Sequence, residues 1–160
     1  MVDVYQNDLK WSKSNEKRIK QLGGKLSKNK RSDQIVNELN EEVFEEVDCL
    51  KCANCCKTTG PLLLPKDIQR LSKRLRMTER AFVEAYLIVD EEGDHVFRSM
   101  PCPFLGEDNY CSVYEDRPKA CRAYPHTDQK GQMDIFHLTR KNAKICPAVS
   151  RIFQRLSEQL

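Results

Sequence analysis

No stretch of this 160-residue chain approaches the roughly 18 to 20 consecutive apolar residues that cross a bilayer. The longest aliphatic run is Leu62-Leu63-Leu64, closed on both sides by proline. That excludes a helical membrane anchor within the sequence and predicts a soluble chain. The opening residues, Met1 to Asp8, carry acids and amides where a secretory leader would place basic residues and then an apolar core. Export is therefore not expected, and a reducing cytoplasmic location is. The sequence also lacks a glycine-rich phosphate loop of either common pattern, a Gly-x-Ser-x-Gly elbow and a His-Glu-x-x-His helix. It has no internal repeat or low-complexity tract, and its 39% apolar content supports one small core with ordered loops.

What the chain has in excess is cysteine. Four lie in the run Cys49-Leu50-Lys51-Cys52-Ala53-Asn54-Cys55-Cys56, and four follow at Cys102, Cys111, Cys121 and Cys146. A thiol is a reactive liability unless it is buried, oxidised or bound to metal. In a reducing compartment an even set reads as metal ligands before it reads as disulfides. Ligation would also alter the formal charge of +3, since eight thiolates holding two divalent ions bring it to about −1. The basic pI is thus weak grounds for a nucleic-acid partner.

Two-residue gaps let Cys49, Cys52 and Cys55 curl around one centre, as at the opening of a bacterial ferredoxin run. Cys56 departs from that run, because adjacent residues seldom aim at the same atom; it serves a different site or is not a ligand. Structural zinc usually takes two separated Cys-x-x-Cys knuckles. The distal cysteines form no second knuckle, which moves the reading toward an iron–sulfur cluster, with zinc as the alternative. Cys146-Pro147 opens a helix whose amides and dipole would lower the thiol pKa. Arg117, Lys119 and Arg122 bracket Cys121 as candidates to offset thiolate charge. Among the histidines His95, His126 and His137, His126 is the first candidate ligand, and Tyr110, Tyr114 and Tyr124 are expected to pack the core. A cysteine nucleophile lacks a distinctive Cys-His pairing.

Residues 1–31 are basic and weakly periodic, and predict a frayed helix ending at Gly23-Gly24. From Ser32-Asp33 the spacing of Val36, Leu39, Val43 and Val47 predicts a helix leading to Cys49. Its outer face repeats Glu38, Glu41, Glu42, Glu45 and Glu46, a solvated surface or one answered by a basic companion such as the lysine-rich segment. Pro61–Leu64 reads as a short strand, Pro65 opens a helix with Ile68, Leu71 and Leu75, and Thr78 caps another with Phe82 and Tyr86. That pair imitates a helix-turn-helix but reads better as plain packing. Glu91-Glu92-Gly93-Asp94 is a turn, His95–Arg98 and Met133–Leu138 read as alternating strands, and Pro147 starts an amphipathic closing helix. The fold class expected is α+β: a small loop-rich domain organised by metal, with short strands and several helices. Residues 1–40 form a basic helical extension, and 41–160 the cysteine-cluster domain.

Three motifs in order then carry a likeness: Cys-x-x-Cys-x-x-Cys-Cys, Pro101-Cys102-Pro103-Phe104-Leu105, and Cys111-Ser112-Val113-Tyr114-Glu115-Asp116-Arg117-Pro118-Lys119-Ala120-Cys121-Arg122. The chain resembles the YkgJ-type cysteine-cluster proteins over roughly Cys49 to Cys146. The resemblance implies a cytoplasmic zinc- or iron-chelating domain whose ligands are Cys49, Cys52, Cys55, Cys56, Cys102, Cys111, Cys121 and Cys146. Two positions depart from the family's habit of glycine, Ala53 and Asn109; asparagine tolerates left-handed backbone well. Flagellin lysine N-methylases look similar in the cysteine motif but are larger, so methylation is not carried over. The alternatives are a redox or iron–sulfur enzyme component and a zinc-stabilised interaction module. A nucleic-acid or protein partner would engage the basic N-terminal segment.

Overall fold

In a computed structural model, residues 5–160 are described; residues 1–4, part of the expected extension and of the leader reading, lie outside them. Helices α1 (Gln6–Ser14), α2 (Glu16–Ser27), α3 (Ser32–Glu46), α4 (Cys49–Cys52) and α5 (Asn54–Thr58) come first. Strand β1 (Leu62–Leu63), helices α6 (Pro65–Arg74) and α7 (Glu79–Tyr86), and strands β2 (Leu87–Val89) and β3 (His95–Phe97) follow. Helices α8 (Lys119–Ala123), α9 (Phe136–Asn142) and α10 (Pro147–Gln159) complete the order. The α+β expectation holds: the chain is mostly helical, with one small antiparallel sheet. It divides into two compact units. A terminal unit joins the chain up to Cys52 with Pro125–Leu160, and a central unit is Ala53–Tyr124.

In the terminal unit, α10 packs against α1, α2 and α3. Its Val149, Ile152, Phe153 and Leu156 are buried with Ile19, Leu22, Leu26, Val36, Leu39 and Val43. The apolar residues of these helices recur every three to four positions, so each presents one stripe to a common core. Ser12 donates from Oγ to Ser150 Oγ at 2.8 Å, and Ser150 donates to the Asp8 carbonyl, so two hydroxyls buried between α1 and α10 are satisfied. The acidic face of α3 is answered by α10 rather than by the lysine-rich segment: Arg155 pairs with Glu42 and Glu46, and Arg151 with Glu46. Asp33, in the first turn of α3, accepts from the Gly131 and Gln132 amides at 2.9 and 2.8 Å. Those bonds hold its carboxyl below the ordinary value.

Two expectations for this unit fail. The N-terminal segment is not a frayed helix stopping at the glycines but two helices, with α2 running through Gly23-Gly24. The Phe136 ring lies where a Gly23 Cβ would stand, so absence of a side chain admits the aromatic; Gly24 faces open space. Met133–Leu138 is not a strand: a turn at Gly131, φ 76°, leads into α9, and Phe136 meets Phe153 edge-on at 5.8 Å. The glycines give opposite expected outcomes. Gly23→Ala lowers stability by about 1–2 kcal/mol, because crowding at Phe136 exceeds the gain in helix propensity. Gly24→Ala raises it by about 0.5–1 kcal/mol through that gain alone. Paired thermal melts check the two signs.

The central unit has a core of Leu63, Ile68, Leu71, Phe82, Leu87, Phe97, Phe104 and Val113. The sheet order is β1-β3-β2, with Leu62 and Ile88 both opposite Val96 and Leu87 opposite Phe97. Phe104 contacts the rings of Phe82, Tyr86 and Phe97 at centroid separations of 5.1 to 6.4 Å. Pro65 occupies the first turn of α6, where its missing N–H costs nothing. Thr78 caps α7 as expected, its side chain accepting from the Ala81 amide at 3.1 Å.

Candidate metal centre

Six of the cysteines lie on α4, α5 or α8 or directly before α10, and Cys102 and Cys111 lie on one loop; local hydrogen bonds explain the placement. Asp48 starts α4 by accepting the Leu50 amide at 2.9 Å on Oδ1 and the Lys51 amide on its carbonyl. Its own N–H donates to the Tyr5 hydroxyl at 3.0 Å. Cys49 and Cys52, three residues apart on one turn, therefore share a side of α4. Ala53 then takes a left-handed backbone, φ 48°, and separates α4 from α5. The usual glycine of the resembling family answers this conformation. A β-branched side chain tolerates it least, so Ala53→Val is expected to lose about 1–2 kcal/mol. Ala53→Gly should stay within about 1 kcal/mol, since the relief of strain is set against a lost buried methyl and a looser unfolded chain. Urea denaturation of the two variants distinguishes them.

Within the central unit, the Cys102 amide donates to the Cys56 carbonyl at 2.8 Å, fixing α5 to the Pro101–Leu105 motif. A bridge between Leu105 and Cys111, with the Ser112 amide on the Phe104 carbonyl, closes the loop carrying both thiols. Asn109 turns this loop at φ 65°, the left-handed backbone that asparagine was expected to tolerate. Helix α8 brings Cys121. Its first amide, Lys119 N–H, donates to Asp67 Oδ1 at 3.1 Å. The other Asp67 oxygen accepts the Leu64 amide at 2.9 Å, and Arg70 donates to Oδ1 at 2.8 Å and to the carbonyls of Asp116 and Arg117. Only 2% of Asp67 is exposed. One buried carboxylate thus ties the start of α6 to the start of the helix bearing Cys121.

The sulfurs fall into two groups by mutual electrostatic influence. Cys121 feels Cys56, Cys102 and Cys111; Cys102 feels Cys56 and Cys111; and Cys111 feels Cys56. In the terminal unit Cys146 feels Cys49 and Cys52. All eight carry thiols rather than disulfides. Burial pushes the Cys121 thiol up to about 12, and neighbouring thiolates push in the same direction while Arg117 opposes them. Burial also raises Cys102 and Cys111, against amides of Phe104 and Leu105 at the first sulfur and of Val113 at the second. A hydrogen bond with the Cys55 side chain lowers Cys56 to about 7, against burial and with help from Arg117.

Cys146 does precede α10, and the amides of Val149 and Ala148 act on its sulfur in the expected direction. The net shift is nevertheless upward, to about 12, because burial outweighs the helix terminus. Of the bracketing cations, Arg117 acts on Cys56, Cys111 and Cys121, and its guanidinium also lies 3.7 Å from the centre of the Tyr114 ring. Arg122 instead donates to the Glu115 carbonyl. Arg74 is a cation that sequence reasoning missed: it influences Cys111 while bonding Asp116 and the Ser112 carbonyl. The polar spacing Asp67, Arg70, Arg74 along α6 was the available signal. Tyr110 and Tyr114 do not pack the core; their rings pair at 5.9 Å and are 49% and 44% exposed. His126 has the Gln129 side-chain amide 3.2 Å from Nδ1.

A thiol set of this order, on these motifs, is matched from residue 48 to residue 147 by the family model CxxCxxCC, described as "Putative zinc- or iron-chelating domain". The chain belongs to the CxxCxxCC family. The match covers more than half of the chain and takes in all eight cysteines of the CxxCxxCC domain. No curated protein and no solved structure matches it. The family description makes a metal the partner of this domain, and no helix among the described residues is long and apolar enough to cross a membrane.

The donor set fits such a metal. Sulfur is a soft ligand suited to zinc and to iron–sulfur clusters, and amides two or three residues downstream of Cys102, Cys111 and Cys146 favour the thiolate form. Buried thiolates near one another repel; a cation among them removes both the repulsion and the burial cost.

Proposed function

We propose that this protein is a metal-thiolate protein of a reducing, cytoplasmic compartment, in which the cysteines hold zinc or an iron–sulfur cluster. The reading is supported by the electrostatic influence that Cys56, Cys102, Cys111 and Cys121, thiols of three separate motifs, exert on one another. Those four form one ligand set. Cys49, Cys52 and Cys146 belong to a second. Cys55, the eighth candidate ligand, bonds the Cys56 sulfur. A four-thiolate set satisfies tetrahedral zinc with no open position, and equally the cysteine ligation of a cluster. The metal organises the fold around the thiols, and its identity decides whether the protein also carries electrons.

Anaerobic purification followed by elemental analysis and visible absorption tests the proposal. Stoichiometric zinc without visible absorption gives a structural site; iron with charge-transfer bands and a reversible redox signal gives a cluster. Substoichiometric amounts of both metals would overturn the reading.

A further inference from the structure

Between Leu9 and Ser32 nine lysines and arginines accompany a single acid, Glu16. Helices α1 and α2 bury Leu9, Ser12, Ile19, Leu22 and Leu26, and all nine cations are exposed. Arg18 and Lys25 reach the carbonyls of Ser157 and Leu160 near the end of α10. Among the described residues none of the nine forms an ion pair with an acid. A separate set of cations, from α9 and the residues after it, lies at a cleft of the same unit. The cleft, of about 190 Å³, is lined by Ser12, Glu16 and Ile19 on one side and by His137, Arg140, Lys141 and Lys144 on the other.

The spacing of the second group is three, four and seven residues, so these four side chains share one face of α9 and its continuation. Glu16 is engaged by Lys144. Arg140 and Lys141 have no acidic partner among the described residues. Lys20, one turn beyond Glu16 on α2, extends the positive field along the rim.

We propose that this cleft seats a phosphate of a nucleic acid, with Arg140 and Lys141 as its principal contacts and the lysines of α1 and α2 meeting neighbouring phosphates. A guanidinium and an ammonium converging on a recess suit an oxyanion, the arginine offering a paired N–H fork. A polyanion is favoured over an isolated phosphate because the unpaired cations continue beyond the cleft. A lipid surface is disfavoured because the apolar faces of α1 and α2 are consumed in the core, which leaves no hydrophobic side to insert. The reading is independent of the metal, since none of the cleft residues is a cysteine.

The test is fluorescence anisotropy of a labelled single-stranded 12-mer against the intact, metal-loaded chain across a salt series. The double variant Arg140→Ala/Lys141→Ala is expected to bind at least about tenfold more weakly. Its salt slope should be shallower by about 1.4, at roughly 0.7 per lost single-strand contact. Lys66→Ala/Lys73→Ala, which removes equal charge from an exposed part of α6, should leave the slope unchanged. Glu16→Gln should tighten binding about two- to fivefold by removing the carboxylate from the cleft and releasing Lys144. Circular dichroism and metal content verify that each variant is folded. The proposal is overturned if the wild-type chain shows no salt-sensitive binding, or if the two double variants behave alike. It is likewise overturned if Glu16→Gln does not tighten binding, or if anionic phosphatidylserine vesicles bind while the oligonucleotide does not.

Discussion

Serine in place of Cys121 is expected to remove the metal from the central unit and most of that unit's stability with it. A serine hydroxyl does not ionise near neutral pH, so the variant keeps the shape of the side chain and loses the ligand. On the proposed grouping, Cys56, Cys102 and Cys111 then offer three sulfurs where a closed site needs four. A structural zinc site supplies about 10–16 kcal/mol of apparent binding free energy in small peptides. The core that would have to stand without it has eight buried apolar residues. Cores of such small units rarely supply more than about 3–5 kcal/mol. Metal per chain and a thermal melt with and without chelator measure the effect; a full metal complement in the variant would sink the assignment of Cys121.

The same experiment across the cysteines tests the grouping. Serine at Cys56, Cys102 or Cys111 should reproduce the Cys121 loss. Serine at Cys49, Cys52 or Cys146 should remove a different share. Cys55→Ser should differ from Cys56→Ser despite their adjacency, and a uniform loss of all metal from every variant refutes two sets.

Asp67→Ala is expected to cost about 3 kcal/mol or more, because it leaves the half-buried Arg70 without its carboxylate and two amides without an acceptor. Asp67→Asn keeps the shape and one acceptor, and should cost about 1–2 kcal/mol. Either change loosens the start of α8, so metal content should fall along with the melting temperature although no ligand is altered. Full metal retention in Asp67→Ala would show that the carboxylate does not position Cys121.

A pH dependence follows from the same residue. Burial pushes the Asp67 carboxyl up, but the Leu64 amide, Arg70 and the Lys119 amide together hold it below its ordinary value of 3.8. The unfolded chain therefore binds the proton more readily than the folded one. The contribution is complete above the ordinary carboxylate value and is lost as pH falls through the lower folded value. Asp33 behaves in the same sense. The stability difference between wild type and Asp67→Asn, measured at matched metal occupancy, should shrink as the solution is acidified below about pH 4. A constant difference would mean that the charge of Asp67 does not contribute.

Helices α3, α6, α7 and α10 were readable from apolar spacing, helped by the Thr78 cap of α7 and the first-turn prolines of α6 and α10, because their burial follows from one periodic stripe. Ser32-Asp33 does not cap α3, which starts after Arg31. Strand β2 was not, since Leu87–Val89 continues the apolar pattern of α7 and becomes a strand only by pairing with β3. The alternation Met133–Leu138 suits a strand, yet Phe136 gains more against Gly23 and Phe153. At the site the sequence displayed the sulfurs and their order along the chain. It did not display Asp67, whose role depends on a backbone amide more than fifty positions away. The upward shifts at Cys146 and Cys121 were equally hidden, because burial is a tertiary quantity.

The terminal unit is assembled from two stretches with the whole central unit between them, and this fixes an order of assembly during synthesis. Chains emerge from the ribosome at about 5–20 residues per second, and units fold as their segments become complete. Ala53–Tyr124 is continuous, so its five thiols are all present before α9 and α10 have been made. Cys49 and Cys52 must wait for Cys146. On the proposed grouping, the central unit is thus free to capture metal on the nascent chain, while the terminal unit gains its thiols only when Cys146 arrives.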